Sequence, residues 1–230
     1  MLGLTPLQIG IALFATLAAA FVRGLAGFGM AILLVPVLGL AVPPREAVVV
    51  ANCLGLLIGL AGLRKFIGAS EKSALQIAAV AMLATPLGVG LLAVTDPELA
   101  RLAIALIALG SFVLVVLPKR PAHHVPSVIE TGGTGVVSGI LTGFAGMPGP
   151  PVVPYYIRRE IPAQLARASM MTIFLATSLA GVVSAIVLGV ATVRDRCWRR
   201  CYFRQCYWVT GWVTACLARS ATGSGACLLV

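Results

Sequence analysis

Residues 141–154 read LTGFAGMPGPPVVP, and residues 23–36, in the first half of the chain, read RGLAGFGMAILLVP. Each stretch interrupts an apolar run with glycines and closes on a proline. Both residue types disfavour a continuous helix, glycine through backbone freedom and proline through its missing N–H. In lipid every backbone polar group needs a partner, so irregular backbone at membrane depth persists only where protein buries it or a polar cavity borders it. The fold depends on which of these the two breaks represent.

Composition makes lipid the relevant solvent. The chain has 230 residues, 60% hydrophobic and 10% charged, with a mean hydropathy of +1.03; soluble domains carry about 25% charged residues. One helical crossing needs roughly 20 apolar residues. Such segments occur at 4–22, 24–42, 46–63, 73–94, 99–117, 127–145 and 168–191, with a shorter apolar piece at 147–157 that is too proline-rich to be one regular helix. The expected class is an all-α, multi-pass membrane protein. The first segment lacks a basic leader, so no cleavable signal peptide is expected.

The net charge of +10 does not indicate nucleic acid, because the basic residues sit between apolar segments. Arg64, Lys65 and Lys72 share one connection, Lys119 and Arg120 another, and Arg158, Arg159 and Arg167 a third. The connections at 43–46 and 95–101 are balanced or acidic. The positive-inside rule therefore places the basic connections in the cytoplasm. His123 and His124, beside Lys119 and Arg120, read as solvated loop residues.

Composition changes at residue 194. The remaining stretch holds five of the six cysteines, all three tryptophans and six of the fourteen arginines. Without a C-x-x-C pair or a nearby histidine, the cysteines do not form a metal motif, and no metal or other cofactor is expected. A shifted reading frame near residue 193 accounts best for the change. A disulfide-stapled tail and a basic tail that binds anionic lipid are the alternatives.

Shifting the first half by 119 positions lays Gly24 on Gly143, Gly27 on Gly146, Pro43 on Pro162 and Ala47 on Ala166. Gly29 and Gly149, and Pro36 and Pro154, match after a one-residue slip. Upstream, Ala12, Thr16, Ala20 and Gly24 recur every fourth residue, as do Thr131, Gly135, Gly139 and Gly143. That interval lines small side chains along one helix face and lets membrane helices approach closely. Two repeats are expected, 1–120 and an incomplete 121–193, followed by the atypical 194–230. Internal duplication in a multi-span chain marks secondary transporters, and five crossings per unit would invert one copy relative to the other.

A helix that resumes after a break starts with unpaired N–H groups and a partial positive charge, which suits a small anion without lysine or arginine. Glycine lets a ligand approach such backbone. The competing reading is helix packing alone, in a membrane subunit or assembly scaffold that transports nothing. The glycine order is not a dinucleotide fingerprint, since no strands surround it.

The stretches GLAGFGMAILLVPVL at 24–38, followed by PPREAVVVANCLGLL, and SGILTGFAGMPGPPVVPYYI at 138–157, followed by IPAQLARASMMTIFLAT, resemble the sulfite exporter TauE/SafE family of membrane permeases. The resemblance covers residues 5–193 and implies movement of sulfite, sulfonates or related sulfur-containing anions, without selecting one.

The expected substrate-binding set is Gly24, Gly27, Gly29, Pro36, Asn52, Gly143, Gly146, Gly149, Pro154 and Thr172. Asn52 brings a donor into an apolar segment; Thr172 and Ser169 bring hydroxyls into the matching region, although such hydroxyls commonly bond their own preceding turn. Arg23 reads as an interfacial anchor or a vestibule charge. No acid occupies the centre of a span, which leaves proton coupling unsupported by residue type. No nucleophile and base pair within a span, so the chain is not expected to be an enzyme. Its expected partners are a small anion and the lipid bilayer.

Overall fold

The computed structural model describes residues 30–116, 126–159 and 161–190. Arg23, Gly24, Gly27 and Gly29, the charged loop from Lys119 to His124, and the segment 194–230 lie outside those residues. Seven α-helices follow one another: α1 (Met30–Ala41), α2 (Pro44–Phe66), α3 (Lys72–Val94), α4 (Pro97–Val116), α5 (Val128–Ala145), α6 (Gly149–Ile157) and α7 (Ala163–Val187), with a 3-10 turn at Ile67–Ala69 after α2. The described residues contain no strand, in keeping with the all-α expectation.

Local chemistry sets the helix starts. α2 and α4 open on Pro44 and Pro97, whose fixed φ suits the first position and whose missing N–H would have no helical partner there. Asp96 Oδ1 accepts the Glu98 N–H at 2.9 Å beside the start of α4. α5 carries a reciprocal cap: the Glu130 N–H donates to Ser127 Oγ at 3.1 Å, and the Ser127 N–H donates to Glu130 Oε2 at 3.3 Å. α7 starts at Ala163, before the apolar run expected from 168, because its first turns hold Gln164 and Arg167 and hydropathy overlooks them.

Helices α3, α5 and α7 are long and apolar enough to cross a membrane. On α3, Leu83, Leu87 and Val94 are 69–81% exposed, a surface suited to lipid rather than water. Each end of α3 is tied to the connections that share its level. At the start, Arg159 from beyond α6 pairs with Glu71; at the finish, Arg45 of α2 donates to the carbonyls of Ala93 and Thr95. Two basic connections thus meet at one end of the helices and the balanced ones at the other. This is the partition that the charge pattern predicts.

The small-residue face of α5 meets α3. A Cβ on Gly139 or Gly143 would run into the backbone carbonyls of Ala81 and Thr85, and one on Gly135 would crowd Val80. This is the close approach that the four-residue interval predicts. α2 and α7 lie side by side in opposite directions, with Asn52 against Gly181, Gly55 against Ser178 and Gly59 against Leu175. Buried hydroxyls keep partners within their own helices: Thr85, Thr142 and Thr177 donate to carbonyls four residues earlier at 2.7, 2.7 and 2.9 Å.

Candidate functional site

The second glycine-proline stretch breaks the helix and reverses the chain. α5 ends at Ala145, and Gly146 adopts φ 66° and ψ 17°, the left-handed conformation that glycine takes at least cost. Its N–H donates to the Thr142 carbonyl at 2.9 Å, and the Met147 N–H donates to Leu141 at 3.2 Å. The chain then runs back along α5. Ser138 Oγ donates to the Pro148 carbonyl at 3.1 Å, and the Thr131 and Tyr155 hydroxyls lie 3.0 Å apart. The expectation that the helix resumes its course after this break is therefore corrected: α6 returns antiparallel to α5. Pro148 has no N–H with which to extend the α5 ladder, whereas Pro150 and Pro151 suit the first turn of a new helix.

The expectation that prolines keep 147–157 from forming a regular helix is corrected: Pro150 and Pro151 fall in the first turn, where no N–H partner is needed, and α6 runs for nine residues, about 13 Å of rise, less than half of a hydrocarbon core of about 30 Å. It starts level with Ser138, partway along α5. Its body is wedged between α3 and α7, where Val152, Val153 and Tyr156 join Ile77, Met170 and Ile173 in one buried cluster.

The start of α1 meets this turn. Ile32 Cδ1 lies 3.7 Å from where a Cβ on Gly149 would stand, and a Cβ on Gly146 would lie 3.2 Å from Ala51 and 3.4 Å from Val35. Every residue from Thr142 to Pro150 is buried. The described N-terminal part of α1 therefore lies beside the start of α6 within the protein.

The two facing stretches differ in backbone chemistry. Met30 to Leu33 of α1 contain no proline, so each of these residues carries an N–H. α6 opens Gly149-Pro150-Pro151, and Gly149 supplies the single N–H among those positions. Prolines at 148, 150, 151 and 154 also withhold the i+4 donors that the carbonyls of Phe144, Gly146, Met147 and Pro150 would have in a continuous helix. The donor-rich side is α1, and the acceptor-rich side is the 144–147 turn.

The remaining expected residues fall into several settings. Gly143 packs on α3, Pro36 lies inside α1, and Pro154 lies inside α6. Thr172 is buried, and its hydroxyl donates to the Ala168 carbonyl at 3.0 Å. Ser169 Oγ accepts the Glu71 N–H at 3.0 Å. Asn52 is 2% exposed and directs Nδ2 at the Thr142 carbonyl, 3.4 Å away. Its Oδ1 is buried with no hydrogen-bond partner, a situation that costs about 1–3 kcal/mol when left uncompensated. The helix-to-helix hydrogen bond is thus present, and the uncommitted atom of Asn52 is an acceptor.

One cluster has no forerunner in the motifs. Arg159 forms a bidentate pair with Glu71 and stands 5.5 and 6.0 Å from the ring centres of Tyr155 and Tyr156. The Tyr156 and Ser73 hydroxyls lie 3.0 Å apart. The hydrogen bond from Arg159, reinforced by its charge, holds the Glu71 carboxyl below the usual carboxylate range against the opposing effect of burial. Glu71 as the single acid among the basic residues of its connection is the sequence signal that could have revealed the pair.

The described residues, all helical, with three apolar helices of membrane length and a short helix turned back along α5, define an α-helical membrane protein. The chain belongs to the sulfite exporter TauE/SafE family, whose model matches residues 12–223. The match runs past residue 193, where the motif resemblance stops, and takes in most of the compositionally distinct segment. No curated protein and no solved structure matches the chain significantly.

Proposed function

We propose that this chain is a plasma-membrane permease that carries a small sulfur-containing oxyanion, of the sulfite, sulfonate or thiosulfate class, between the starts of α1 and α6. Family membership supports a transporter of this kind. The observation that carries the site is the closeness of α1 to the start of α6, where a Cβ on Gly149 would stand 3.7 Å from Ile32 Cδ1. The start of α6 favours negative charge, and the Gly149 N–H with the N–H groups of a helix resumed after the first glycine stretch, which the sequence repeat implies, would provide neutral donors.

The two halves read as inverted repeats. Ala163, the start of α7, follows Pro44, the start of α2, by 119 residues, the interval of the sequence repeat. The long helices α2 and α7, which this interval equates, run in opposite directions. Alternating access would then tilt one repeat against the other around a fixed anion position. The scaffold reading needs an outward glycine face for partners. Gly135, Gly139 and Gly143 are instead filled by α3 of the same chain.

The test is flux from liposomes holding the purified full-length chain. Sulfite or thiosulfate efflux above that of empty vesicles supports the carrier; no flux of either anion contradicts it.

A further inference from the structure

We infer that the acceptor-rich side of the break is a binding site for a small monovalent metal cation, Na⁺, formed by Asn52 Oδ1 together with carbonyl oxygens of the 144–147 turn. The inference deepens the anion-carrier reading and rests on it for its purpose, because a cation bound beside the anion offsets the cost of carrying one charge through a low-dielectric site.

Three independent observations converge on it. First, Asn52 Oδ1 is a fully buried acceptor without a partner. Its orientation is fixed by chemistry: exchanging oxygen and nitrogen would face an acceptor against the Thr142 carbonyl, which Nδ2 now approaches at 3.4 Å. Second, the amide is admitted by an absent side chain. A Cβ on Gly181 would stand 2.8 Å from Nδ2, 2.9 Å from Cγ and 3.1 Å from Oδ1. Third, prolines at 148, 150 and 151 withhold the i+4 donors that the carbonyls of Phe144, Gly146 and Met147 would have in a continuous helix. Asn52 lies against Thr142, two residues before the 144–147 turn, and a Cβ on Gly146 would stand 3.2 Å from Ala51, the residue before Asn52. The turn also follows the C-terminus of α5, the end of a helix that favours positive charge.

The chemistry selects the ion class. Residues 142–150 contain no carboxylate, histidine or cysteine, so the ligands are neutral oxygens, which suit a hard monovalent cation and cannot neutralise a divalent one. In broken membrane helices, unwound carbonyls and helix C-termini coordinate cations while helix N-termini receive anions.

The experiment has two readouts on the full-length chain. Thermal unfolding in detergent is followed while Na⁺ replaces choline at constant ionic strength, and sulfite efflux from proteoliposomes is measured in both media. The expected result is a saturable rise in Tm with Na⁺ and efflux at least fivefold faster in Na⁺ than in choline. Asn52→Ala raises the half-saturating Na⁺ concentration at least tenfold, and Asn52→Asp, which keeps the oxygen and adds charge, lowers it. Should Asn52→Ala not fold, Gly181→Ala displaces the same amide and gives the same weakening. A Tm that does not respond to Na⁺, or variants that titrate like the parent chain, overturns the cation site. Sulfite efflux that is equal in both media overturns it while leaving the permease standing. Absent efflux contradicts the permease, and the Tm titration then decides the cation site alone.

Discussion

The Arg159 guanidinium holds the Glu71 carboxylate by two parallel hydrogen bonds, Nη1 to Oε2 at 2.9 Å and Nη2 to Oε1 at 2.8 Å. Arg159 follows the end of α6, and Glu71 precedes the start of α3. The far end of the returning half-helix is thus tied to the first long helix it packs on. Side-chain exposures of 16% and 28% place the pair between a surface ion pair, worth about 0–1 kcal/mol, and a buried one, whose breakage costs about 3–5 kcal/mol.

Glu71→Gln and Arg159→Lys are each expected to lose about 1–3 kcal/mol, since lysine cannot reproduce the two-pronged contact. The measurement is Tm in detergent. The double exchange Glu71→Arg with Arg159→Glu is expected to recover part of the loss, whereas single variants with the parent Tm would show that α6 is held by the Tyr156 cluster alone.

The same pair sets an acid limit. Glu71 has its carboxyl pKa lowered in the folded chain, chiefly by the Arg159 hydrogen bond. A lowered folded-state value means that the contribution is fully present above the unfolded carboxyl range, about 4.3, and fades as pH falls through the lower folded value. Stability against pH is expected to decline more steeply below about pH 4 in the parent chain than in Glu71→Gln, as followed by Tm from pH 7 downward. Parallel profiles would remove Glu71 from the acid response.

The glycines of α5 and its turn are expected to separate by substitution to alanine. Gly139→Ala forces a Cβ against the Ala81 carbonyl and should cost about 1–3 kcal/mol through overpacking. Gly146→Ala places a Cβ at φ 66°, a left-handed strain of about 1–2 kcal/mol. Gly149→Ala meets Ile32 and Val153 at ordinary contact distances of 3.7 and 3.8 Å and should leave Tm unchanged. Equal effects at all three positions would contradict the packing described for α3 and α5.

Glycine and proline make the helix boundaries legible in the amino-acid sequence itself. The apolar segment 127–145 corresponds to α5, Val128–Ala145, because the break beginning at Gly146 is written in residues that cannot continue a helix. The four-residue glycine interval foretells the contact with α3 because small side chains at that spacing leave one face open to a neighbour. The reversal after Gly146 is not legible in the same way. Whether a broken helix continues or returns depends on contacts such as Ser138 with Pro148 and Thr131 with Tyr155, which periodicity does not encode. Asn52 is recognisable as a polar residue in an apolar span, yet which of its amide atoms finds a partner depends on Thr142, 90 residues away in sequence. The Glu71–Arg159 pair spans 88 residues and has no counterpart in any local pattern.

The central claim places the transported anion between the starts of α1 and α6, and the most direct measurement is sulfite efflux from proteoliposomes holding Gly149→Leu, with Gly149→Ala beside it. A Cβ on Gly149 would stand 3.7 Å from Ile32 and 3.8 Å from Val153, at ordinary contact, so alanine fits, while the longer leucine side chain crowds α1 beside the start of α6. The account predicts efflux near the parent rate with alanine and a loss of at least tenfold with leucine in protein that still inserts in full amount. Efflux at the parent rate with leucine in place would contradict it.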